Sequence, residues 1–303
     1  MTKTLVCILC ETRAHELTFD NFKKNVIDEL NADLCLSIAV KPNYNYENPF
    51  YKLAKYKFLY DEPDDFGDAF DYAYNLLVKD YKHIDYNREE KHIHWRNFLK
   101  IKDQFMGGVK DNNNQHPGSA GILIFFRWFL YKNIIENDLH NIYDRFIITR
   151  SDYIYQLPHP KLTIMNPNNI WIPDEEGYGG YTDRHTVLSK NNLREYLNIF
   201  ENFTYRSHEY FLKMSKYNRW NLERLIKLHL TLNNVDSLVK HFPYVMYTVR
   251  NIDGSTRWST GNYNSNLGYY IKYDSEYNSA NKYKDKFINS NLSIDDFYTK
   301  LIL

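Results

Sequence analysis

The sequence predicts an α/β fold with a mostly parallel central sheet flanked by helices, and two observations support this prediction. An apolar strand at 4–10, an amphipathic helix at 18–31 and an apolar strand at 32–40 follow one another within the first forty residues. This order is a βαβ unit, whose two strands lie parallel in one sheet. A helix at 118–139 that is apolar on nearly every side then leads into a buried strand at 146–148. Such a helix is central and buried.

The remaining elements are predicted from apolar periodicity and from the residues that interrupt it. In the first helix, Thr18 is the expected N-cap because it precedes the first residue of the apolar face. The later elements share an apolar run or a helical spacing that polar loops bound. They are a strand at 55–60, helices at 66–79, 191–215 and 220–233, two strands around a glycine loop within 169–189, and β-like segments at 243–251 and 268–273.

Length and composition predict one main domain with an appendage. The chain has 303 residues, of which 43% are hydrophobic, enough for one large α/β domain. No internal repeat or clean linker divides it, so we expect a domain at 1–240 and a C-terminal α+β extension at 241–303 packed on it. The 38 basic and 38 acidic residues balance, and no long basic run occurs, so nucleic acid is not an expected partner.

The cysteines and the N-terminus predict a cytoplasmic protein. Cys7 and Cys10 have the spacing of a redox pair, but they lie inside an apolar run rather than at a helix N-terminus. Together with Cys35 they are expected to be buried free thiols, which fits a reducing compartment. The N-terminus becomes polar too early for a signal peptide, and no apolar run approaches the ~20 residues of a membrane span.

A polar tripeptide follows the predicted strand at 146–148. It is Arg150-Ser151-Asp152. The carboxyl end of a parallel strand is where open α/β sheets bind their ligands. Arg150 and Asp152 are therefore candidate site residues, although an Arg–Asp pair that closes the strand explains the tripeptide equally well.

A glycine-rich block at 173–185 is a second candidate. Glycines allow a backbone to approach a ligand closely. An acid beyond the loop could act as a general base toward a hydroxyl group, and Asp183 is the first candidate, with Glu175 or Glu176 in reserve. A hairpin with a flexible polar tip is the alternative. The residues expected to contact an acceptor share this block: Tyr178, Gly179, Gly180 and His185.

Arg127 lies within the apolar run 122–130 and needs a partner, because an unpaired buried cation is costly. It could pair with a buried carboxylate, Asp152 or Asp144. It could instead face the phosphates of a ligand.

Two further segments are candidates for binding a nucleotide. The residues 116–121, which include Ser119, precede the long helix and would present backbone N–H groups to an anion. Thr12 and Arg13 follow the first strand, in the loop that commonly contacts the base or ribose in nucleotide-binding α/β folds.

Three stretches of this sequence resemble a group of GT-A-type glycosyltransferases that occurs in large DNA viruses and some microbial eukaryotes. The resemblance covers most of residues 3–190 and is clearest at the strand end before Asp152 and in the Gly-Gly block after it. The stretches are a first strand ending in ETR before 18-TFDNFK-23, then 143-YDRFIITRSD-152, and 170-IWIPD-174 with 179-GGYTDRH-185.

The resemblance implies a GT-A-like fold and a cytoplasmic enzyme, in the host cytoplasm if the source is viral. Such an enzyme moves a sugar from a nucleotide-sugar donor, UDP- or GDP-linked, to a glycan or other hydroxyl acceptor. GT-A enzymes place a D-x-D motif at this strand end, and its last Asp holds Mn²⁺ or Mg²⁺ against the donor phosphates. This position is Asp152, but Arg150 stands where the first Asp is expected, which puts the metal in doubt.

Site roles follow from the residues and the resemblance together. Asp152 and Asp183 are the expected catalytic residues, and Asp152 is the expected metal ligand. The expected donor-binding residues are Thr12, Arg13, Ser119, Arg127 and Arg150.

Two other functions are compatible with the same pattern. One is a non-catalytic carbohydrate-binding or structural protein on the same fold, which the many tyrosines favour. The other is a sugar-phosphate nucleotidyltransferase, whose usual glycine-rich, basic signature near the N-terminus is absent from this sequence. The sugar, the acceptor and the oligomeric state stay open.

Overall fold

The structure is a computed structural model, and its largest element is a seven-stranded sheet. It describes residues 2–302 apart from 81–92, 98–99, 102–103, 106, 219 and 257–258. The seven strands, in spatial order, are β10 (Val239–Phe242), β8 (Ile170–Pro173), β9 (Thr186–Ser189), β6 (Arg145–Thr149), β1 (Thr4–Cys10), β2 (Asp33–Val40) and β3 (Tyr56–Asp61).

Two smaller sheets accompany it. A four-stranded sheet has the order β12 (Asn262–Asn264), β13 (Tyr269–Ile271), β11 (Met246–Arg250) and β7 (Tyr153–Tyr155). A two-stranded sheet joins β4 (Lys100–Ile101) to β5 (Gln104–Phe105).

The helices occupy most of the remaining described chain. They are α1 (His15–Phe22), continued by a π-helix (Lys23–Asp28), α2 (Pro49–Leu53), α3 (Phe66–Asp80), α4 (Ala120–Glu136), α5 (Leu139–Ile142), α6 (Leu193–Leu197), α7 (Ile199–Tyr205), α8 (Ser207–Met214), α9 (Leu222–Leu232), α10 (Asp274–Ile288) and α11 (Ile294–Ile302). Short 3₁₀ turns lie at Trp95–Asn97, Leu162–Ile164, Lys190–Asn192 and Asp236–Leu238.

The predicted fold class is confirmed: the central sheet is mostly parallel, and helices flank it. β1 pairs in parallel with β2 and with β6, β2 pairs in parallel with β3, and β8 with β10. Only β9 runs antiparallel to its neighbours in this sheet, β6 and β8. The strands predicted at the N-terminus and around 146–148 all lie in it.

Both faces of the sheet are covered, and β1 shows why its sequence is continuously apolar. Leu5, Cys7 and Leu9 belong to the hydrophobic cluster that contains α3 and α4. Val6 and Ile8 point to the other face, into the cluster that contains α1 and α11. Successive side chains of a strand alternate between faces, so a strand covered on both sides needs apolar residues throughout.

Local boundaries differ from the predictions in two helices. The first helix begins at His15, not after Thr18, and its N-cap is Ala14, with φ of 54°. The prediction of Thr18 as the N-cap was wrong, because Thr18 lies inside the helix. Its buried hydroxyl bonds with the carbonyl oxygens of Ala14 and Ser151. The bond to Ser151 ties the helix to the loop after β6. The helix predicted at 191–215 is broken into α6, α7 and α8, with breaks at Asn198 and Arg206.

The C-terminal segment contains both strands and helices. β11 and β13 match the predicted β-like segments, and α10 and α11 form the helical part, for which no bounds were predicted. In the sequence of α10, DSEYNSANKYKDKFI, polar residues separate the few apolar ones, of which Ala280, Tyr283 and Phe287 pack on the hydrophobic clusters. β10 joins the main sheet and spans the expected domain boundary near 240, and that boundary stays a prediction.

Candidate functional site

The main cavity lies at the carboxyl ends of the parallel strands β1 and β6. β2 and β3 extend the sheet on one side of β1, and β6 extends it on the other. The order in which strands are added therefore reverses at β1, and such a reversal creates the crevice in which open α/β sheets bind ligands. The cavity holds about 740 Å³ of empty space, part of it open to solvent. Its lining residues are Leu9, Cys10, Glu11, Arg13, Ala39, Glu62, Phe66, Ser119, Ile122, Leu123, Arg150, Ser151, Asp152, Arg250, Thr256 and Lys272.

Asp152 lies at the base of this cavity and is fully engaged by arginines. Arg150 donates from Nε to Oδ1 at 2.8 Å and from Nη2 to Oδ2 at 2.7 Å. Arg250 donates from Nη1 to Oδ2 at 2.5 Å, and the Asp152 side chain is 1% exposed. Burial raises the pKa of Asp152, but Arg150 and Arg250 outweigh burial and hold that pKa well below its usual range.

Four chain segments meet around this carboxylate. Ser151 links the loops after β1 and β6, because its hydroxyl accepts from the Arg13 N–H at 2.9 Å. Arg250 is the last residue of β11, which pairs with β7, and Val249 N–H donates to the Asp152 carbonyl oxygen. Lys272 follows β13, and its own N–H donates to a carbonyl oxygen of β11.

The expected metal does not fit the residues present. Both oxygens of Asp152 accept hydrogen bonds from guanidinium groups, whose positive charges compete with Mn²⁺ or Mg²⁺ for this carboxylate. Such cations require several oxygen ligands. Within the described ranges, no three His, Cys, Asp or Glu side chains group in a way that could hold a metal ion.

Of the expected donor-binding residues, Arg13, Ser119 and Arg150 line the cavity. Thr12 lines an adjoining cavity instead. Its hydroxyl bonds with the Tyr44 hydroxyl at 2.7 Å and accepts from Asn48 Nδ2 at 2.9 Å. Thr12 therefore holds the 44–48 loop against the end of β1.

The N-terminus of α4 is not the open anion site that the sequence suggested. The Ile122 N–H donates to the Gly107 carbonyl oxygen at 3.1 Å. Gly107 has φ of 90°, and a Cβ there would stand 2.0 Å from the Gly121 nitrogen. The backbone of 107 thus packs directly on this helix end, and only a glycine permits that approach.

Arg127 does not pair with Asp152 or Asp144 among the contacts of the described residues, and its expected role in donor binding stays a prediction. It is fully buried and does not line the cavity. Its Nη2 donates to the Asp183 carbonyl oxygen at 2.7 Å, and its Nε and Nη1 have no hydrogen-bond partner in the described part of the chain. The Asp144 carboxylate instead accepts from the Lys3 N–H at 3.0 Å.

The glycine block packs on α9 rather than around an open space. A Cβ at Gly180 would stand 1.9 Å from the Glu223 carbonyl oxygen, and one at Gly179 would meet the Arg224 side chain at 3.0 Å. Tyr181 N–H donates to the same Glu223 oxygen at 3.1 Å. The close approach that these glycines permit is therefore to the first turn of α9. Tyr178 remains half exposed beside them.

His185 was expected to contact an acceptor, but its imidazole is buried. Its Nε2 lies 3.1 Å from His159 Nε2, and its Nδ1 lies 2.9 Å from the Thr149 hydroxyl. Burial lowers the pKa of His159 to about 4 and that of His185 well below its usual value. Both rings are therefore neutral near pH 7, and the prediction for His185 has no support in this geometry.

Asp183 lies close to the cavity without lining it. Its carboxylate stands 3.7 Å from Arg184 Nε, and its side chain is 9% exposed. Glu223, which the sequence did not indicate, lies close enough to Asp183 for the charge of that carboxylate to affect its pKa. Burial and then the charge of Asp183 raise the pKa of Glu223 to about 7. The catalytic role of Asp183 stays a prediction.

Arg250 and Lys272 are the cavity residues that the sequence analysis missed. Each lies at the end of a predicted β-like segment, 243–251 and 268–273. A basic residue at the end of a predicted strand is the same kind of signal that indicated Arg150. The sequence does not show which other strand such a segment pairs with.

Comparisons with known proteins place few constraints on this chain. No family model and no curated protein matches the sequence. Among solved structures, the apo crystal structure of mouse xyloside xylosyltransferase 1 is similar over 81% of this chain and 86% of that one, with 9% sequence identity and a TM-score of 0.36. A TM-score of this size does not establish a shared fold. The α/β architecture therefore rests on the strand order described above.

No helix within the described ranges has both the length and the hydrophobicity that crossing a membrane requires. The three cysteines are free, and two of them, Cys7 and Cys35, are buried opposite each other on β1 and β2. Cys10 is only partly buried and lines the cavity. Localisation in the cytoplasm stays a prediction.

Proposed function

We propose that this protein is a glycosyltransferase that uses a nucleoside diphosphate sugar. The observation that supports the proposal is the cavity at the carboxyl ends of β1 and β6, which combines an apolar wall with a cationic one. Leu9, Ala39 and Phe66 belong to the apolar wall, and Arg150 and Arg250 to the cationic one. A nucleotide sugar has the matching parts, a base and ribose joined to an anionic diphosphate.

The chemistry requires a leaving group and a base. The bond between the anomeric carbon and the phosphate oxygen breaks, and its electron pair goes to the nucleoside diphosphate. Cationic side chains favour this step because they stabilise the charge that develops on the phosphate. The acceptor oxygen bonds to the anomeric carbon, and Asp183 is the proposed base that takes its proton. Burial lowers the pKa of the Arg150 guanidinium, but Asp152 and other neighbouring groups outweigh burial and raise that pKa. Asp183 is near enough to be one of these groups.

The test is a binding panel followed by a turnover assay. Calorimetry would measure UDP, GDP, other nucleoside diphosphates and their sugars on the intact chain, once in EDTA and once with Mn²⁺. We expect one base to be preferred, and a ligand at a hundred times its Kd should raise the free energy of unfolding by about 2.7 kcal/mol. Release of the nucleoside diphosphate from the matching sugar donor would then be followed with candidate acceptors.

Three outcomes would overturn the proposal. If no nucleotide or nucleotide sugar binds, with or without Mn²⁺, the cavity serves another ligand. Glycan binding without nucleotide binding would make the chain a carbohydrate-binding protein. Turnover of a sugar phosphate with a nucleoside triphosphate would make it a nucleotidyltransferase. The Mn²⁺ arm of the same panel tests the metal expected from the sequence.

A further inference from the structure

The cationic wall of the cavity carries more positive charge than its acids balance. Arg150, Arg250 and Lys272, here called the cation cluster, surround the single carboxylate of Asp152. When Lys272 is protonated, three cations face this one carboxylate, which is an excess of two positive charges. Buried charges without counter-charges are unfavourable, so this arrangement indicates an anionic ligand.

The other charged residues of the cavity do not remove this excess. Glu11 pairs with Arg13 at the entrance. Glu62 faces Lys41, whose Nζ lies 3.8 Å from its carboxylate. Each of these acids thus has a cation of its own.

Donor atoms of the cation cluster also lack acceptors. Arg250 is 1% exposed, and its buried Nε has no hydrogen-bond partner among the described residues. Buried polar groups are nearly always satisfied in native proteins, so this donor at the cavity indicates a ligand that accepts hydrogen bonds. The Lys272 side chain is partly buried, makes no hydrogen bond or ion pair with any residue that the structure describes, and packs over the Tyr273 ring at 4.5 Å, so its ammonium group can donate to the same ligand.

We propose that the cation cluster binds the diphosphate of the ligand directly, in the place that a divalent cation would otherwise take. The proposal rests on the proposed function for the identity of the complete ligand. A diphosphate diester carries two negative charges, which equal the excess in the cluster when Lys272 is protonated, and an anion beside Lys272 favours that protonated form. Arginine suits this role because its planar guanidinium donates two parallel hydrogen bonds to phosphate oxygens.

Asp152 then has a positioning role instead of a metal-binding one. Its carboxylate holds the side chains of Arg150 and Arg250 side by side through three hydrogen bonds. The charge that develops on the nucleoside diphosphate as the glycosidic bond breaks is stabilised by guanidinium and ammonium groups. Mn²⁺ or Mg²⁺ is not required for this step.

The same arrangement makes the C-terminal segment part of the site. Arg250 ends β11 and Lys272 follows β13, so two of the three cations lie beyond residue 241. The pairing of β11 with β7 brings them to the end of the strand that precedes Asp152. An extension that only packed on the sheet would not supply cavity residues.

The experiment measures the binding of inorganic pyrophosphate by calorimetry to the intact chain, in EDTA and then with Mn²⁺. Pyrophosphate contains the proposed diphosphate and no base or sugar. The variants are Lys272→Met and Arg250→Met, with Lys240→Met as the matched control on exposed β10. Lys272→Met is expected to fold, because no hydrogen bond between the ammonium group and the described residues is lost and the methylene chain can still pack on the Tyr273 ring. Circular dichroism and the Tm would verify folding of each variant.

We expect the wild type and Lys240→Met to bind pyrophosphate equally well in EDTA. Lys272→Met and Arg250→Met should each bind about tenfold more weakly or worse, the usual effect of losing a hydrogen bond to a charged group. Binding that requires Mn²⁺ would overturn the proposal. Binding without metal that is unchanged in Lys272→Met would overturn it too, and so would no binding in either buffer.

Failure of the proposed function would look different. Pyrophosphate would still bind without metal and would depend on Lys272, while no nucleotide sugar would bind more tightly than pyrophosphate or be turned over. Conversely, a nucleotide sugar could bind only with Mn²⁺ and equally well to Lys272→Met. That result would support the proposed glycosyltransferase and contradict the role proposed for the cation cluster.

Discussion

Lys272 lies in surroundings that are unfavourable for a charged lysine side chain. Burial, and then the neighbouring Arg150 and Arg250, lower its pKa to about 6. A lysine in this position destabilises the ligand-free protein. Binding sites commonly carry such unfavourable groups, because the ligand supplies the missing interaction.

This residue gives a pH-dependent prediction of stability. Between pH 6 and 10.5 the unfolded chain binds the Lys272 proton and the folded chain does not, so the free energy of unfolding rises with pH across that window. Lys272→Met should remove this part of the rise and stabilise the protein near pH 7 by on the order of 1 kcal/mol or more. Urea denaturation at several pH values measures both effects.

Lys240→Met again serves as the control, because Lys240 is exposed on β10 and should keep the wild-type slope. Equal stability of the wild type and Lys272→Met at all these pH values would show that the ammonium is not in an unfavourable environment.

Asp183 is the residue on which the proposed transfer reaction depends for its base. Asp183→Asn should lower kcat about 100-fold or more, the usual effect of losing a general base, and should leave donor binding unchanged. The comparison of kcat from steady-state turnover with the donor Kd from calorimetry checks this split. An unchanged kcat would exclude Asp183 and direct attention to Glu223, whose raised pKa of about 7 suits a base.

At the scale of elements, a buried ion pair joins α10 to the glycine block. Arg184 Nη1 donates to Glu276 Oε1 at 2.8 Å and to Glu176 Oε2 at 3.0 Å. Glu276 is fully buried and also accepts from the Tyr244 hydroxyl and the Thr248 N–H. These contacts connect α10, the block before β9 and strand β11.

Breaking this pair should be strongly destabilising. Glu276→Ala leaves the Arg184 guanidinium buried without its main counter-charge, and such losses cost about 3 to 5 kcal/mol. The double variant Arg184→Met with Glu276→Leu should lose less than the two single variants together. Urea denaturation of the wild type, Arg184→Met, Glu276→Leu and the double variant gives the coupling. A loss below about 1 kcal/mol in Glu276→Ala, measured in the same way, would show that this ion pair is not required for stability.

The elements also show what the sequence could predict and what it could not. The N-terminal βαβ unit and the strand at 145–149 were predictable, because continuous apolar runs mark strands covered on both faces. The bounds of α10 were not predicted, because the residues that pack on the core, such as Ala280, Tyr283 and Phe287, are spaced within a mostly polar segment.

At the scale of the whole molecule, the cavity joins segments that are far apart in sequence. The part of the cavity at the ends of β1 and β6 was predictable, because Arg13 and Arg150 follow strands that a parallel sheet places side by side. Arg250 and Lys272 reach the cavity through the pairing of β11 with β7, and that pairing has no local signal. The glycine block was misinterpreted because glycine permits close packing on a helix as readily as on a ligand.

Calorimetric titration of UDP and GDP into the intact chain in EDTA, beside Lys272→Met and Lys240→Met, tests whether the cation cluster binds a diphosphate without metal. We expect one nucleotide to bind at a single site, Lys272→Met to weaken this binding by about tenfold or more, and Lys240→Met to leave it unchanged. Absence of binding to both nucleotides in EDTA, or binding that Lys272→Met leaves unchanged, would contradict metal-free binding by the cation cluster.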